Sequence, residues 1–308
     1  MNGSRLDPAQ PQPAAAAPAP EISAVIVNFN AGGELRGALQ SIADAMRGRG
    51  WDAVVVDNAS TDGSERAAVE FAPQVRLIRN AGNVGFARGV NQGIASSDGA
   101  LVLMLNPDCR IAADAVGHLE AALAAHPSCA IAGPRILDPD GAVQGSARGD
   151  PDMLTGLFGR TSTLRRLLPG LSVSKRNVVG GPGGAGGAEP GAMVVDWLSG
   201  ACMLARRDAL EQVGGFDERY FLYWEDADLC RRLRTRGYDV RYVPAAEAVH
   251  RVGQSSRTAP ESSIRAFHNG AYLYYATHVA PGALNPKRWM ARALLAARCR
   301  WRLRAGSR

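Results

Sequence analysis

The sequence predicts an α/β fold in which a mostly parallel sheet is flanked by helices. Three observations carry that reading. Short β-rich apolar runs alternate with helical stretches through residues 21–133, the pattern of successive βαβ units. These runs are apolar throughout, as strands covered on both faces are. The chain has 308 residues, 46% hydrophobic and 21% charged, which suits one large domain or two small ones with a buried core.

The elements follow in order. SAVIVN (23–28) is the first strand and 33–47 the first helix. AVVVD (53–57) is the second strand. Behind it TDGSERAAVEF starts a helix, with Asp62 as its cap and Glu65 three residues on. VRLIR (75–79) is the third strand, FARGVNQGIAS (86–96) a helix, and ALVLML (100–105) the fourth strand. A helix over 112–126 and the strand CAIAG (129–133) complete the series. Right-handed crossovers make this a nucleotide-binding type of sheet, with open loops at the carboxyl ends of its strands. Next comes a turn, DPDG (138–141), and a glycine-rich stretch within 150–195 that reads as a mobile loop. DWLSGACMLAR (196–206) is strand-like, helices fall near 207–213 and 225–236, and DVRYV (239–243) and EAVH (247–250) are extended. Residues 261–278 and 286–304 have helical patterns, and the proline-rich residues 1–20 read as a disordered lead-in. The expected organisation is therefore a lead-in (1–20), a catalytic body (21–260) and a helical C-terminal extension (261–308).

Charge is unevenly spread. The net charge is +6, but nine bases and no acid lie beyond Glu261; removing those nine from the 35 leaves 26 bases against 29 acids, a body of −3. That distribution argues against a nucleic-acid partner. On a helical wheel Met290, Leu294, Ala297 and Trp301 share one face, with Arg288, Arg292, Arg298 and Arg302 largely on the other. Such a basic amphipathic segment suits an anionic membrane surface, and a solvated terminal helix shows the same pattern. The five cysteines form no CxxC pair or Cys/His cluster, so neither a disulfide frame nor a zinc site is expected. No apolar run approaches the roughly 18–20 residues of a membrane span. With no signal-peptide pattern at the start either, the expected location is the cytoplasm, on the inner face of the membrane.

Several motifs can carry chemistry. Asp57 ends the second strand in VVVDNASTDGS, where a carboxylate can accept from a base N–H or a ribose hydroxyl; a turn aspartate looks the same. In NAGNVGFARGVNQG (80–93) small residues admit a ligand near the backbone, and Arg88 is placed to reach a diphosphate. The fourth strand runs into Asn106-Pro107-Asp108, where a hard divalent cation can be held beside phosphates. Glu225, Asp226 and Asp228 open a helix, a routine place for acids. Here aromatic residues (Phe216, Tyr220, Phe221, Tyr223, Trp224) crowd the approach, suiting a sugar face and a desolvated base. His250 closes an extended run and can complete a metal site.

In order and spacing, the series NFN, VVVDNASTDGS, NVGFARGVNQG, LNPD, SGACMLARR, GGFDERYFLYWEDADLCRRL and the closing histidine resembles family 2 glycosyltransferases of GT-A fold, over residues 22–253. The stretch from Trp197 to Leu229 is most similar to the bacterial rhamnosyltransferase branch. The resemblance implies an inverting transfer of L-rhamnose from dTDP-L-rhamnose to a cell-wall or surface-polysaccharide acceptor, with polyprenyl-diphosphate sugars among the acceptors. It implies Asp226 as the catalytic base, with Trp224 and Glu225 shaping the acceptor site. Asn30, Asp57, Asn58, Arg88 and Asn106 are implied on the donor, and Asp108 and His250 on Mg²⁺ or Mn²⁺. Asn106 departs from the family's DxD pattern and offers a neutral oxygen where the motif has a charge. Other nucleotide sugars (galactofuranose or hexose donors) and a non-catalytic sugar-nucleotide binding protein remain alternatives. A nucleotidylyltransferase fits less well, because the glycine-rich loop ending in Arg or Lys is absent after the first strand.

Overall fold

A computed structural model of the chain describes residues 21–149, 178–179, 191–251 and 260–306. The expected lead-in and most of the glycine-rich segment lie outside these residues. The first half is built from β1 (Ile22–Asn28), α1 (Glu34–Ala45), β2 (Trp51–Asp57), α2 (Arg66–Glu70), β3 (Val75–Arg79), α3 (Phe86–Ala95) and β4 (Leu101–Leu105). All seven residues of β1 are buried. Their alternation feeds two cores: Ile22, Ala24 and Ile26 join Leu35, Leu39 and Ile42 of α1. Val25 and Val27 meet Val90 of α3 on the opposite face. α3 lies close because Gly89 and Gly93 face these valines; a Cβ on Gly93 would come within 2.3 Å of Val25.

The second half comprises β5 (Cys109–Ile111), α4 (Ala115–Ala125), β6 (Cys129–Leu137), β7 (Ala147–Arg148), β8 (Val178–Val179), β9 (Met193–Val194), β10 (Trp197–Leu198) and β11 (Cys202–Arg206). It continues with α5 (Arg207–Gln212), α6 (Glu225–Thr235) and β12 (Asp239–His250). α7 (Pro260–Tyr274), a π-helical turn (Tyr275–Val279) and α8 (Pro286–Gly306) close the chain. The main sheet runs β3-β2-β1-β4-β11-β6-β12-β5, with β9 beside β12, and a small sheet runs β10-β7-β8.

Four differences from the sequence reading have physical causes. β3, β2, β1 and β4 are parallel and β6 and β12 run with them, so the sheet is mostly parallel as expected, but β11 is inserted antiparallel between β4 and β6. The run 196–206 splits into β10 and β11 at Ser199–Ala201, where Asn106 N donates to the Ala201 carbonyl at 2.9 Å. The two extended runs 239–243 and 247–250 are one strand, β12, with a register shift between Val243 and Glu247; Pro244, which cannot donate, stands in it. Asp62 does not cap α2. Its carboxylate accepts from Ser64 N at 3.0 Å and Gly32 N at 2.8 Å, tying the loop after β2 to the loop after β1.

The C-terminal helix turns Arg288, Arg298 and Arg302 towards the body, while Arg292, placed with them on the wheel, is exposed. Ala291 and Leu295 are buried and Arg288, Arg298 and Arg302 are half-buried, whereas Met290, Leu294 and Trp301 are exposed, Trp301 at 54%. Arg288 and Arg292 lie 5.9 and 5.8 Å from the Tyr272 ring of α7 as cation–π partners, which fixes this rotation. All five cysteines are free thiols. Among the described residues no helix is long and apolar enough to cross a membrane.

Candidate active site

The carboxyl ends of β1 and β2 are joined by a buried polar network. Asn28 Nδ2 donates to Asp57 Oδ1 at 2.7 Å, and Ser60 donates to the same carboxylate through Oγ (2.6 Å) and N (3.0 Å). Asn30 takes the left-handed conformation (φ 50°) and its Oδ1 accepts from Thr61 N at 2.8 Å. Asn58 is buried; its Nδ2 donates to the Gly85 carbonyl at 3.1 Å and its Oδ1 accepts from Asn80 at 2.9 Å. These side chains hold the three loops after β1, β2 and β3 together. Arg88 is exposed at the start of α3, 3.7 Å from Glu218.

A cleft of about 460 Å³ opens beside this network. Asn106, Trp224, Glu225, Asp226 and His250, spread over 145 positions of chain, all line it. Asn30, Asp57, Asn58 and Arg88 are not among its lining residues.

Asp108 reaches the cleft through His250. β12 pairs antiparallel with β5, His250 opposite Cys109, so the last residue of the strand lies beside Asp108. His250 Nε2 is 3.2 Å from Asp108 Oδ1, and its Nδ1 is 3.2 Å from Gln144 Oε1. Gln144 fixes the tautomer. Its amide nitrogen donates to Asp138 Oδ1 (2.7 Å) and to the His250 carbonyl (2.9 Å), so its oxygen can only accept, and Nδ1 must be the protonated nitrogen. In neutral His250 the Nε2 lone pair then faces a carboxylate oxygen. Two acceptors at 3.2 Å require a positive charge between them, a proton or a metal ion. The pair therefore fits a divalent cation with two protein ligands whose remaining positions fall to water and phosphate oxygens. Among the described residues no cluster of three or more His, Cys, Asp or Glu side chains could hold a metal unaided.

Asp226 sits in the first turn of α6. Its Oδ2 accepts from Gly200 N at 2.9 Å and its Oδ1 from Ala227 N at 2.8 Å. Burial raises its pKa above the ordinary carboxylate value, against the opposing pull of those N–H groups and the Arg148 guanidinium. Glu225 is also pushed up, to about 8, by burial and by the neighbouring Asp226 charge, and its Oε2 finds no partner among the described residues. The two carboxyls titrate as a pair.

The turn that aims them is strained. Tyr223 and Trp224 have φ of 69° and 76°, a conformation that costs a non-glycine residue on the order of 1–3 kcal/mol. Two contacts hold it: Phe86 N donates to the Phe221 carbonyl at 2.7 Å, and Gly270 of α7 packs so close that a Cβ there would lie 2.8 Å from the Tyr223 carbonyl. The Trp224 ring is stacked at 5.7 Å from Phe267 and 5.6 Å from Tyr274. Asp228, third acid of the cluster, has another task. It is buried and accepts from Arg232 Nε (2.7 Å), Tyr220 Oη (3.4 Å) and His278 Nε2 (2.7 Å), joining α6 to the π-helical turn.

Several cleft residues escaped the sequence reading, Gln144 and Arg148 among them. Gln144 follows the DPDG turn with no motif around it. Arg148 lines the cleft, stands 5.2 Å over the Trp197 ring and donates to the Gly145 carbonyl at 2.8 Å. Neither has a local pattern that separates it from a solvated loop residue.

The model of glycosyl transferase family 2 matches residues 23–171, and that of glycosyl transferase family group 2 matches residues 171–302. The chain is 36% identical over 295 residues to N-acetylglucosaminyl-diphospho-decaprenol L-rhamnosyltransferase of Mycobacterium tuberculosis, covering 92% of this chain and 93% of that protein. Rhamnosyltransferase WbbL of Escherichia coli is 40% identical over 83 residues, 27% of this chain and 31% of that one. Among solved structures, a mannosyltransferase from Pyrobaculum calidifontis, in complex with GDP-Man and Mn²⁺, superposes with a TM-score of 0.55 at 16% identity, covering 94% of this chain and 80% of that one. Likeness at that identity shows the fold alone, and the fold is the GT-A arrangement expected from the sequence.

Proposed function

The chain belongs to glycosyl transferase family 2 and is a glycosyltransferase; on that premise we propose that it moves L-rhamnose from dTDP-L-rhamnose, with inversion, to a hydroxyl of a lipid-diphosphate-linked N-acetylglucosaminyl acceptor in cell-wall or surface-polysaccharide assembly. The observation that carries the reading is the near full-length similarity to a decaprenol-linked rhamnosyltransferase, in a chain whose cleft holds Asp226, its pKa raised by burial, beside the Trp224 and Phe267 rings.

Asp226 takes the proton from the acceptor hydroxyl. The oxygen attacks the anomeric carbon from the face opposite the diphosphate, the bond to the diphosphate breaks, and the nucleoside diphosphate leaves with the electron pair. One displacement turns a β-L-rhamnosyl donor into an α-linked product. Glu225 shapes the acceptor side beside the base, and Trp224 offers an apolar face to the acceptor sugar. Asp57, with Asn30 and Asn58 holding its loops, serves the donor's base and ribose, and Arg88 the diphosphate. Asp108 and His250 would hold Mg²⁺ or Mn²⁺, with the Asn106 amide in the same cleft; bound there, the cation supplies positive charge to the departing diphosphate.

Lipid-linked acceptors lie at a membrane, and α8 suits docking there. Trp289, Met290, Leu294 and Trp301 are exposed on its outer side, with Lys287, Arg292, Arg300 and Arg304 also exposed on the helix. We expect the combined substitutions Trp289→Ser, Leu294→Ser and Trp301→Ser to weaken co-sedimentation with anionic vesicles by about tenfold or more. Unchanged sedimentation would remove α8 from membrane attachment.

The function itself is tested by mass spectrometry of products. Purified protein is offered dTDP-L-rhamnose, UDP-galactofuranose and UDP-hexoses with a short polyprenyl-diphosphate-GlcNAc acceptor, with and without EDTA. A rhamnosylated product that EDTA suppresses is expected. Transfer from another donor alone would reassign the sugar, and no transfer from any donor would overturn the reading.

A further inference from the structure

The inner side of α8 carries charge into the cleft. Arg298 and Arg302, one helical turn apart, line it, and so do Phe267 and His268 of α7. His268 is only 6% exposed. Its Nδ1 lies 2.7 Å from the Ile264 carbonyl and so carries the hydrogen, while Nε2 is buried with no hydrogen-bond partner among the described residues. An unsatisfied buried nitrogen of this kind is costly unless a ligand or water meets it. Burial, and after it the two arginines, press the His268 imidazole towards its neutral form, and burial with the nearby Arg302 disfavours the charge on half-buried Arg298. Two guanidiniums gathered on a cleft wall offer planar forks to phosphate oxygens, and the imidazole lone pair beside them can accept from a phosphate hydroxyl or a bridging water.

Position separates this cluster from the donor loops. Phe267, the neighbour of His268, packs on Trp224, and α7 buttresses the Tyr223–Trp224 turn through Gly270. The cluster is therefore on the acceptor side of Asp226, whereas Asp57 lies at the end of β2 and Arg88 at the start of α3, outside the cleft lining. It is also the reverse side of the helix whose outer face bears Trp289, Leu294 and Trp301. A phosphate group at a membrane surface, with its sugar directed at Asp226, would meet these arginines first.

We propose that Arg298, Arg302 and His268 form a phosphate-binding subsite for the diphosphate of the lipid-linked acceptor, distinct from the site for the donor's diphosphate. This rests on the glycosyltransferase reading above and adds the group by which the acceptor is held. The guanidiniums neutralise the phosphate oxygens, and His268 Nε2 accepts from a phosphate hydroxyl or from a water held between them.

The test measures binding, so that it does not depend on turnover. Farnesyl diphosphate, farnesol, inorganic diphosphate and dTDP are titrated by calorimetry into the full chain and into Arg298→Gln, Arg302→Gln and the double variant, with Arg298→Lys as a charge-retaining control. Farnesyl diphosphate is expected to bind in the presence of saturating dTDP, and the double variant to lose about tenfold or more in affinity for it with dTDP binding unchanged. Arg298→Lys should retain most of the affinity. Inorganic diphosphate binding as tightly as the prenyl form would assign the subsite to free phosphate, and competition with dTDP would assign the arginines to the donor; either overturns the acceptor assignment. Wild-type affinity for farnesyl diphosphate in the double variant, or no binding to the wild type, overturns it as well. The product assay above fails independently: a chain that binds prenyl diphosphate through these residues yet transfers no sugar keeps the subsite and loses the proposed reaction.

Discussion

Asp226→Asn is expected to lower kcat by about 10²–10⁴-fold while leaving dTDP affinity unchanged. The substitution preserves shape and keeps one oxygen to accept from Gly200 N, gives up the contact with Ala227 N, and removes the ability to accept a proton. Steady-state kinetics with parallel nucleotide titration separates the two effects. Near-wild-type turnover would take the base role from Asp226. The wild-type acid limb supplies a second check. A base must be ionised to work, so activity falls as pH drops through its pKa. Burial raises Asp226, and the limb should stand above the ordinary carboxylate value of 3.8. Because Glu225 is adjacent, that limb reports the pair.

Asp228→Ala is expected to destabilise the fold by about 3–5 kcal/mol, although Asp228 is only two residues from the base. Its carboxylate is the shared acceptor for Arg232 and His278, and removing it leaves the Arg232 charge half-buried without its ion-pair partner. The measurement is a urea midpoint or a melting temperature, the latter falling by several degrees. Loss of activity at full stability would instead mean that Asp228 touches substrate. Asp228→Asn, which keeps one acceptor oxygen, should lose less.

These two acids show what a sequence can and cannot disclose. Asp226 and Asp228 look alike as letters at a helix start, and only their partners, Gly200 N against Arg232 and His278, separate the proposed base from a strut. The strands β1 to β4 were legible because each is an apolar run with a polar loop at its carboxyl end, so burial and exposure are written in consecutive residues. β11 was harder: its residues fit a strand, but its direction depends on a turn at Ser199–Ala201 and on pairing with β4 and β6, which are far away in the chain. Gln144 and Arg148 were invisible for the same reason. Their meaning comes from His250 and Asp226, about a hundred and about eighty positions on. The wheel for α8 separated Met290, Leu294 and Trp301 from Arg288, Arg298 and Arg302 but carried no sign of which face the body would claim; Tyr272, on another helix, decides that.

The pairing of β12 with β5 has a consequence for biosynthesis. A chain emerging amino-terminus first completes β1 to β4, with Asp57, Arg88 and Asp108, long before Asp226 or His250 has left the ribosome. Such a nascent half has the loops after β1 and β2 and one acid of the Asp108–His250 pair, but neither the histidine that faces that acid nor the proposed base. On the proposed roles, competence waits for the end of synthesis: β12, the last strand made, brings His250 to Asp108.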